Sequence, residues 1–297
     1  MTARVPSKAW IFVCLALAAA LVLAPVSRAE AALPGGPLFQ LPFPCGQTWN
    51  GNSSNSSAHR SYEIDFNRAD DVNDPVVAVR AGVVRTASHQ GSVNRYGNLV
   101  KIEHAGGWFS YYAHLNRMDV SVGQSVRQGQ QIGIVGNTSA PGNNISPHLH
   151  FELRNGPSYP DNIRPAYFDG IRFNYTAGSQ NLTSRNCNDP EALCGSGYTA
   201  IDLAHLRNSS GTHYGTVYLM WKGSSQYNCV VTVKHRSRST ATSTSAYLEP
   251  QGASRVTDSG QFYNYAGPVR KYSPSCVRWG GAISGIAYNS PWEHCGS

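Results

Sequence analysis

The chain has 297 residues, 41% of them hydrophobic and 14% charged, with a formal net charge of +7. A basic excess of this size suits an anionic surface and gives no support to a nucleic-acid partner. Beyond the amino terminus no stretch is long and apolar enough to span a bilayer.

The amino terminus opens with Arg4 and Lys8, followed by an apolar run from Ala9 to Pro25 and a small-residue site at Ala29-Glu30-Ala31. That order reads as a secretory signal peptide over residues 1–31, so a secreted or wall-associated protein without a membrane anchor is expected. Losing Arg4, Lys8, Arg28 and Glu30 with the leader lowers the net charge to +5. Residues 32–42 then form a short segment or propeptide. The remaining length fits one large β domain or two domains of ordinary size, and composition favours two. Boundaries are expected at 43–186 and 187–297, since the chain turns polar from Tyr175 to Asp189 and becomes rich in Tyr, Ser, Thr and Gly beyond Cys194.

Helical periodicity is nearly absent, and short β-branched and aromatic runs broken by glycine recur, so an all-β fold is expected. Strands are predicted at Val76 to Arg80, Gly82 to Ala87, Asn98 to His104, Trp108 to Leu115, Gln131 to Val135 and His148 to Arg154. Turn-formers such as Ala105-Gly106-Gly107 and Pro141-Gly142-Asn143-Asn144 separate them. Six cysteines remain after the leader, an even number that reads as disulfides in an exported chain. No close C-x-x-C pair is present, so zinc held by cysteine is not expected.

Chemistry concentrates at His148-Leu149-His150-Phe151-Glu152, where an H-x-H on a strand projects two imidazoles from one face. Upstream, Asp65 lies between Ile64 and Phe66, a carboxylate that points away from its apolar neighbours and needs a partner or a metal. His59 precedes it and His114 ends an aromatic strand.

From about Phe43 to Arg154 the chain resembles the lysostaphin-type zinc metallopeptidases of bacterial cell walls. The resemblance rests on Asp65-Phe66, the run from Val76 to Val84, Tyr96-Gly97-Asn98, Ile102-Glu103-His104, Tyr112-Ala113-His114-Leu115, Val122-Gly123 through Gly129, Gly136-Asn137-Thr138 and Pro147 to Glu152. It implies a lysostaphin-like antiparallel β-sheet domain holding one zinc ion through His59, Asp65 and His150, with His114 and His148 as the catalytic pair. Two imidazoles and a carboxylate suit zinc and leave a fourth position open. His148 is then the general base toward water, and His114 donates a hydrogen bond to the developing oxyanion. Five residues separate His59 from Asp65 where many members have three, and Glu63 is the alternative on that side. His104 is expected to be structural, and His89, His205, His213, His235 and His294 match no ligand position.

The expected activity is hydrolysis of peptide bonds in peptidoglycan stems or cross-bridges by a monomer. Alternatives are a non-catalytic peptidoglycan-binding or activator protein of the same fold, and a broader glycine-preferring extracellular protease. Beyond Leu193 the sequence resembles the actinobacterial spore-associated protein type, through Cys194 to Tyr198, Gly215 to Leu219, Tyr265 to Val269 and Cys276 to Gly281. Interleaved aromatic and basic residues there are consistent with a face for anionic wall polymers or glycan, or with a small disulfide-stapled core. Its four cysteines are expected to pair among themselves, leaving Cys45 to Cys187.

Overall fold

The computed structural model describes residues 36–53, 61–91 and 95–295. The signal-peptide region and His59 lie outside the described residues. The first half carries β1 (Thr48–Asn52), β2 (Ile64–Asn67), β3 (Pro75–Val77), β4 (Gly82–His89), β5 (Asn98–His104), β6 (Trp108–Ala113) and β7 (Arg117–Met118). It continues through β8 (Ser125–Val126), β9 (Gln131–Ile134), β10 (Leu149–Asn155), β11 (Ile163–Arg164), β12 (Tyr167–Phe168), β13 (Ile171–Arg172) and β14 (Ser179–Thr183).

An antiparallel sheet of order β14-β1-β2-β10-β6-β5-β4-β8, with β11 added to β10, forms the first unit, and β3-β9-β7 make a smaller sheet beside it. Alternation fixes which face is dry. Ile64, Phe66, Val100, Ile102, Tyr112, Leu149, Phe151 and Leu153 all point inward with at most 1% exposure. Phe43 stacks on Trp49 at 3.7 Å in the same core. Each such side chain contributes about 1.5–3 kcal/mol of burial free energy. The intervening residues Asp65, Tyr111, His150 and Glu152 therefore share the opposite face.

Two expectations change in detail. The strand predicted from Val76 to Arg80 stops at Val77. Val79 gives its N–H to the Tyr112 hydroxyl at 3.0 Å, and Arg80 reaches Glu191 at 2.8 Å, so the backbone leaves the ladder there. The strand predicted to Leu115 ends at Ala113, because His114 adopts a φ of 64°. Ahead of β1, Phe39 and Leu41 are 2% and 3% exposed in the core of the first unit.

The second half begins with one helical turn, α1 (Pro190–Cys194), capped by Asp189, whose carboxylate accepts from the N–H groups of Glu191 and Ala192. Proline at the first helical position needs no donor. Then follow β15 (Thr199–Arg207), β16 (His213–Lys222), β17 (Tyr227–Lys234), β18 (Thr242–Pro250), β19 (Val256–Phe262), β20 (Tyr265–Tyr272), β21 (Val277–Ile283) and β22 (Ile286–Asn289). Two sheets, β15-β16-β17-β20 and β19-β18-β21-β22, enclose a core of Leu206, Val217, Leu219, Val230, Leu248 and Trp279. The outer face of the first of these sheets is also buried, where its Leu203, Tyr218, Met220 and Val231 cluster with Leu38 and Cys194. That double burial explains why every residue of β17 after Tyr227 is buried. Disulfides join Cys45 to Cys187, Cys194 to Cys229 and Cys276 to Cys295.

The two halves meet at the hairpin of β12 and β13. Asp169 and Gly170 form its two-residue turn with φ of 51° and 76°, the pattern of a type I′ turn. A Cβ on Gly170 would lie 2.8 Å from a Leu203 methyl carbon, so glycine permits the turn to press against β15. Asp169 itself is 1% exposed and accepts hydrogen bonds from Gln40, Thr216, Tyr218 and Arg185. Burial acts to raise its carboxyl, and His205 and Arg185 outweigh that effect, holding it well below the usual range.

Candidate metal centre and its histidine pair

The site is assembled on the polar face of three adjacent strands. Pairing of β2 with β10 sets Asp65 directly opposite His150, and pairing of β10 with β6 sets His150 opposite Ala113. Alternation along β10 keeps His148, His150, Glu152 and Arg154 on one face, and along β2 it keeps Glu63 with Asp65. The result is a row of ligating and charged groups across the sheet.

His150 is held at both ring nitrogens. Its Nδ1 lies 3.0 Å from Asp65 Oδ1, and its Nε2 lies 2.9 Å from Glu152 Oε1. Burial acts to lower its pKa, but the hydrogen bonds to Asp65 and Glu152 prevail and raise it to about 10. The site therefore demands positive charge between its carboxylates. Glu63, 3% exposed, offers a further carboxylate oxygen in a group with His150 and Glu152 whose ligand atoms lie within 4.8 Å of one another.

This donor set fits a divalent metal of the zinc type. Asp65 Oδ1 and His150 Nδ1 are spaced as two ligands of one ion, and the carboxylate of Glu152 on Nε2 fixes the ring with Nδ1 turned toward Asp65. Glu152 is in turn anchored, accepting from the Tyr96 hydroxyl at 2.6 Å and from Arg154 Nε at 2.5 Å. Burial opposes its ionisation, yet His150 and Arg154 hold its carboxyl below the usual range.

The other two imidazoles face this pair. His148 Nε2 lies 3.7 Å from Asp65 Oδ1, and the rings of His114 and His148 are 4.7 Å apart. His148 donates from Nδ1 to the Ser146 carbonyl at 2.8 Å, and His114 donates from Nδ1 to the Thr138 carbonyl at 2.8 Å. A carbonyl only accepts, so each neutral ring presents Nε2 as an acceptor. Burial pushes His114 down to about 3, which keeps it neutral near pH 7. A neutral His114 has no hydrogen to give an oxyanion from Nε2.

Short motifs around His114 explain its position. Its N–H donates to Tyr96 O at 2.9 Å, while Asn98 Nδ2 and Thr138 Oγ1 both donate to Leu115 O at 2.8 Å. Gly97 allows this packing: with φ +57°, an added Cβ would lie 2.2 Å from Thr138 O. Tyr96-Gly97-Asn98, His114-Leu115 and Gly136-Asn137-Thr138 are one hydrogen-bonded clamp.

His104 stands apart from the site, its Nδ1 donating to Ala81 O at 2.9 Å and its Nε2 paired with Ser110 at 2.8 Å. The supporting roles of Glu152, Tyr96 and Arg154 were not read from the sequence. For Glu152 and Arg154 the signal was available in the parity of H-x-H-x-E-x-R, which places all four side chains on one face.

Residues 59–162 match the model described as Peptidase family M23. Protease LasA of Pseudomonas aeruginosa is 32% identical over 139 residues, covering 42% of this chain and 31% of that protein. Peptidoglycan DD-endopeptidase ShyC of Vibrio cholerae is 40% identical over 83 residues, covering 28% of this chain and 18% of that protein. The chain thus spans less than a third of the length of either relative. Among solved structures, the catalytic domain of the antimicrobial peptidase lysostaphin from Staphylococcus simulans is 25% identical, covering 40% of this chain and 87% of that chain with a TM-score of 0.34.

Proposed function

We propose, taking residues 59–162 as a segment of peptidase family M23, that this protein is a secreted zinc metalloendopeptidase cutting peptide bonds in peptidoglycan stems or cross-bridges. The observation that carries the reading is the Asp65–His150 pair, backed by Glu152 and faced by two imidazoles whose Nε2 atoms are free to accept. Asp65 and His150 hold the metal, with His59 as the third ligand. When bound, zinc polarises the scissile carbonyl and brings the pKa of water down to about 7.

The chain's own residues then handle the proton. His148 Nε2 takes it from the attacking water, and the nearby His114 Nε2 is the alternative acceptor. Once one ring holds the proton it becomes the donor that the developing oxyanion and the departing amine require. Carbonyl hydrogen bonds from both Nδ1 atoms keep the two rings in register during that exchange.

Peptidoglycan is supported by the name of the Vibrio cholerae relative. The stretch Pro141 to Asn144 is exposed, and Ser139 Oγ donates to Arg95 O at 2.9 Å. Three disulfides support an extracytoplasmic location. In the C-terminal region Tyr227 and Tyr272 are 39% and 54% exposed with rings 5.9 Å apart, a surface suited to wall glycan.

The test is digestion of purified peptidoglycan with and without a chelator, followed by mass spectrometry of released fragments. New amino termini that depend on zinc are expected. Intact wall after incubation with zinc-loaded protein refutes the proposal.

A further inference from the structure

Three of the histidines that the mechanism leaves unused are gathered in one place. His205 on β15, His213 at the start of β16 and His235 just after β17 converge on Asp169 at the tip of the β12–β13 turn. Ring centroids of His205 and His213 are 4.9 Å apart, and those of His213 and His235 are 5.0 Å apart. The side chains of Asp169, His205 and His235 are 2%, 5% and 5% exposed.

Hydrogen bonding alone accounts poorly for this arrangement. Thr216 Oγ1 lies 3.1 Å from Asp169 Oδ2, 3.2 Å from His205 Nδ1, 3.2 Å from His213 Nε2 and 3.1 Å from His235 Nε2. A hydroxyl has one hydrogen and two lone pairs, so four such neighbours exceed its capacity. Asp169 Oδ2 is 3.6 Å from His205 Nδ1 and 4.0 Å from His235 Nε2, beyond hydrogen-bonding reach. Two ligands of a tetrahedral zinc ion, each bonded at about 2.0–2.1 Å, sit about 3.3 Å from each other. The ligand atoms of Asp169, His205 and His213 all fall within 4.8 Å of one another. His235 Nδ1 is buried without a hydrogen-bond partner, the mark of a ring placed for its other nitrogen.

We propose that Asp169, His205, His213 and His235 form a second divalent-metal site, of the structural zinc type, that ties the β12–β13 turn to the C-terminal sandwich. Three imidazoles and one carboxylate complete a tetrahedron and leave no open position, so the site is structural and not catalytic. One ligand comes from the first unit and three from the second, so the ion joins them where a loop contact would otherwise serve. Binding displaces the Thr216 contacts to all four ligands, the Arg185 contact to Asp169 Oδ2 and the 2.6 Å hydrogen bond from His213 Nε2 to Gly215 O. Arg185 is 19% exposed and swings to solvent. Tyr218 and Gln40 stay on Asp169 Oδ1 and orient the carboxylate.

The site shares no residue with the proposed catalytic centre, and the experiment separates them. The full-length His150→Ala protein, deprived of a ligand of that centre, is titrated with zinc and with cobalt(II). One equivalent should still bind, cobalt should give the intense visible absorption of a tetrahedral ion, and zinc should raise Tm. X-ray absorption of the zinc-loaded His150→Ala protein should count three imidazoles. Adding His213→Ala or Asp169→Asn should abolish the equivalent and the Tm response. Failure of His150→Ala to take up stoichiometric metal overturns the proposal, even if neither double variant folds. A zinc ion with one imidazole, or an equivalent that survives both double variants, overturns it as well.

Discussion

Replacing Glu152 tests whether the metal centre depends on the residues behind its ligands. Glu152 is 0% exposed, and its two oxygens hold His150 Nε2 at 2.9 Å and Arg154 Nε at 2.5 Å. In Glu152→Gln the shape is kept and an amide oxygen still accepts from His150, but the charge that makes this hydrogen bond strong is gone. Loss of such an orienting partner weakens a metal site about 10–100-fold, or about 1.4–2.7 kcal/mol. Zinc affinity measured by competition with a chromogenic chelator should fall by that factor while the far-ultraviolet circular dichroism stays unchanged. Glu152→Ala goes further, since it leaves the Arg154 guanidinium, 8% exposed, without its carboxylate. A broken buried pair costs about 3–5 kcal/mol, so the urea midpoint should fall well below that of the Gln variant. Zinc affinity within twofold of the parent in Glu152→Gln would refute the claim that this carboxylate positions His150.

Three further outcomes are expected. His148→Ala should keep stoichiometric zinc by elemental analysis and lose about 100- to 10,000-fold in turnover, as expected when a general base is removed, whereas His150→Ala should lose catalytic zinc and activity together. Gly97→Ala should lower stability by more than about 1 kcal/mol, since alanine resists positive φ and its Cβ would strike the Thr138 carbonyl; because that carbonyl holds His114, turnover should drop with zinc retained. Acid should destabilise the fold in a defined window: burial lowers His104 to about 4, so below its ordinary pKa of about 6.5 the unfolded chain binds a proton that the folded one refuses. The stability contributed above pH 6.5 is lost as pH falls through 4, by about 3 kcal/mol, and a His104→Gln variant should show a shallower loss in urea melts across that range.

Much of the first half was legible because its signals are local. Alternation across Ile64-Asp65-Phe66 and across His148 to Glu152 sets which side chains face the core, and the structure follows that parity. The ends of elements were less legible: β3 and β6 stop where Val79 and His114 answer to partners 33 and 24 residues away. The third expected ligand, His59, falls outside the described residues.

By itself the sequence determined the strand-rich character of the chain and the row of polar groups on one face of β10, because a period of two is written in neighbouring residues. Tertiary structure decided everything that depends on distant pairing. Asp65 meets His150 across 85 residues only because β2 and β10 share a register. The tautomers of His114 and His148 follow from carbonyls supplied by folded loops, not from the motif that names them. The three C-terminal histidines, unremarkable along the chain, become a cluster only when a two-residue turn delivers Asp169 to them. Chain entropy makes such contacts costly to form singly, so they arise from the cooperative packing of whole sheets, which no local pattern encodes.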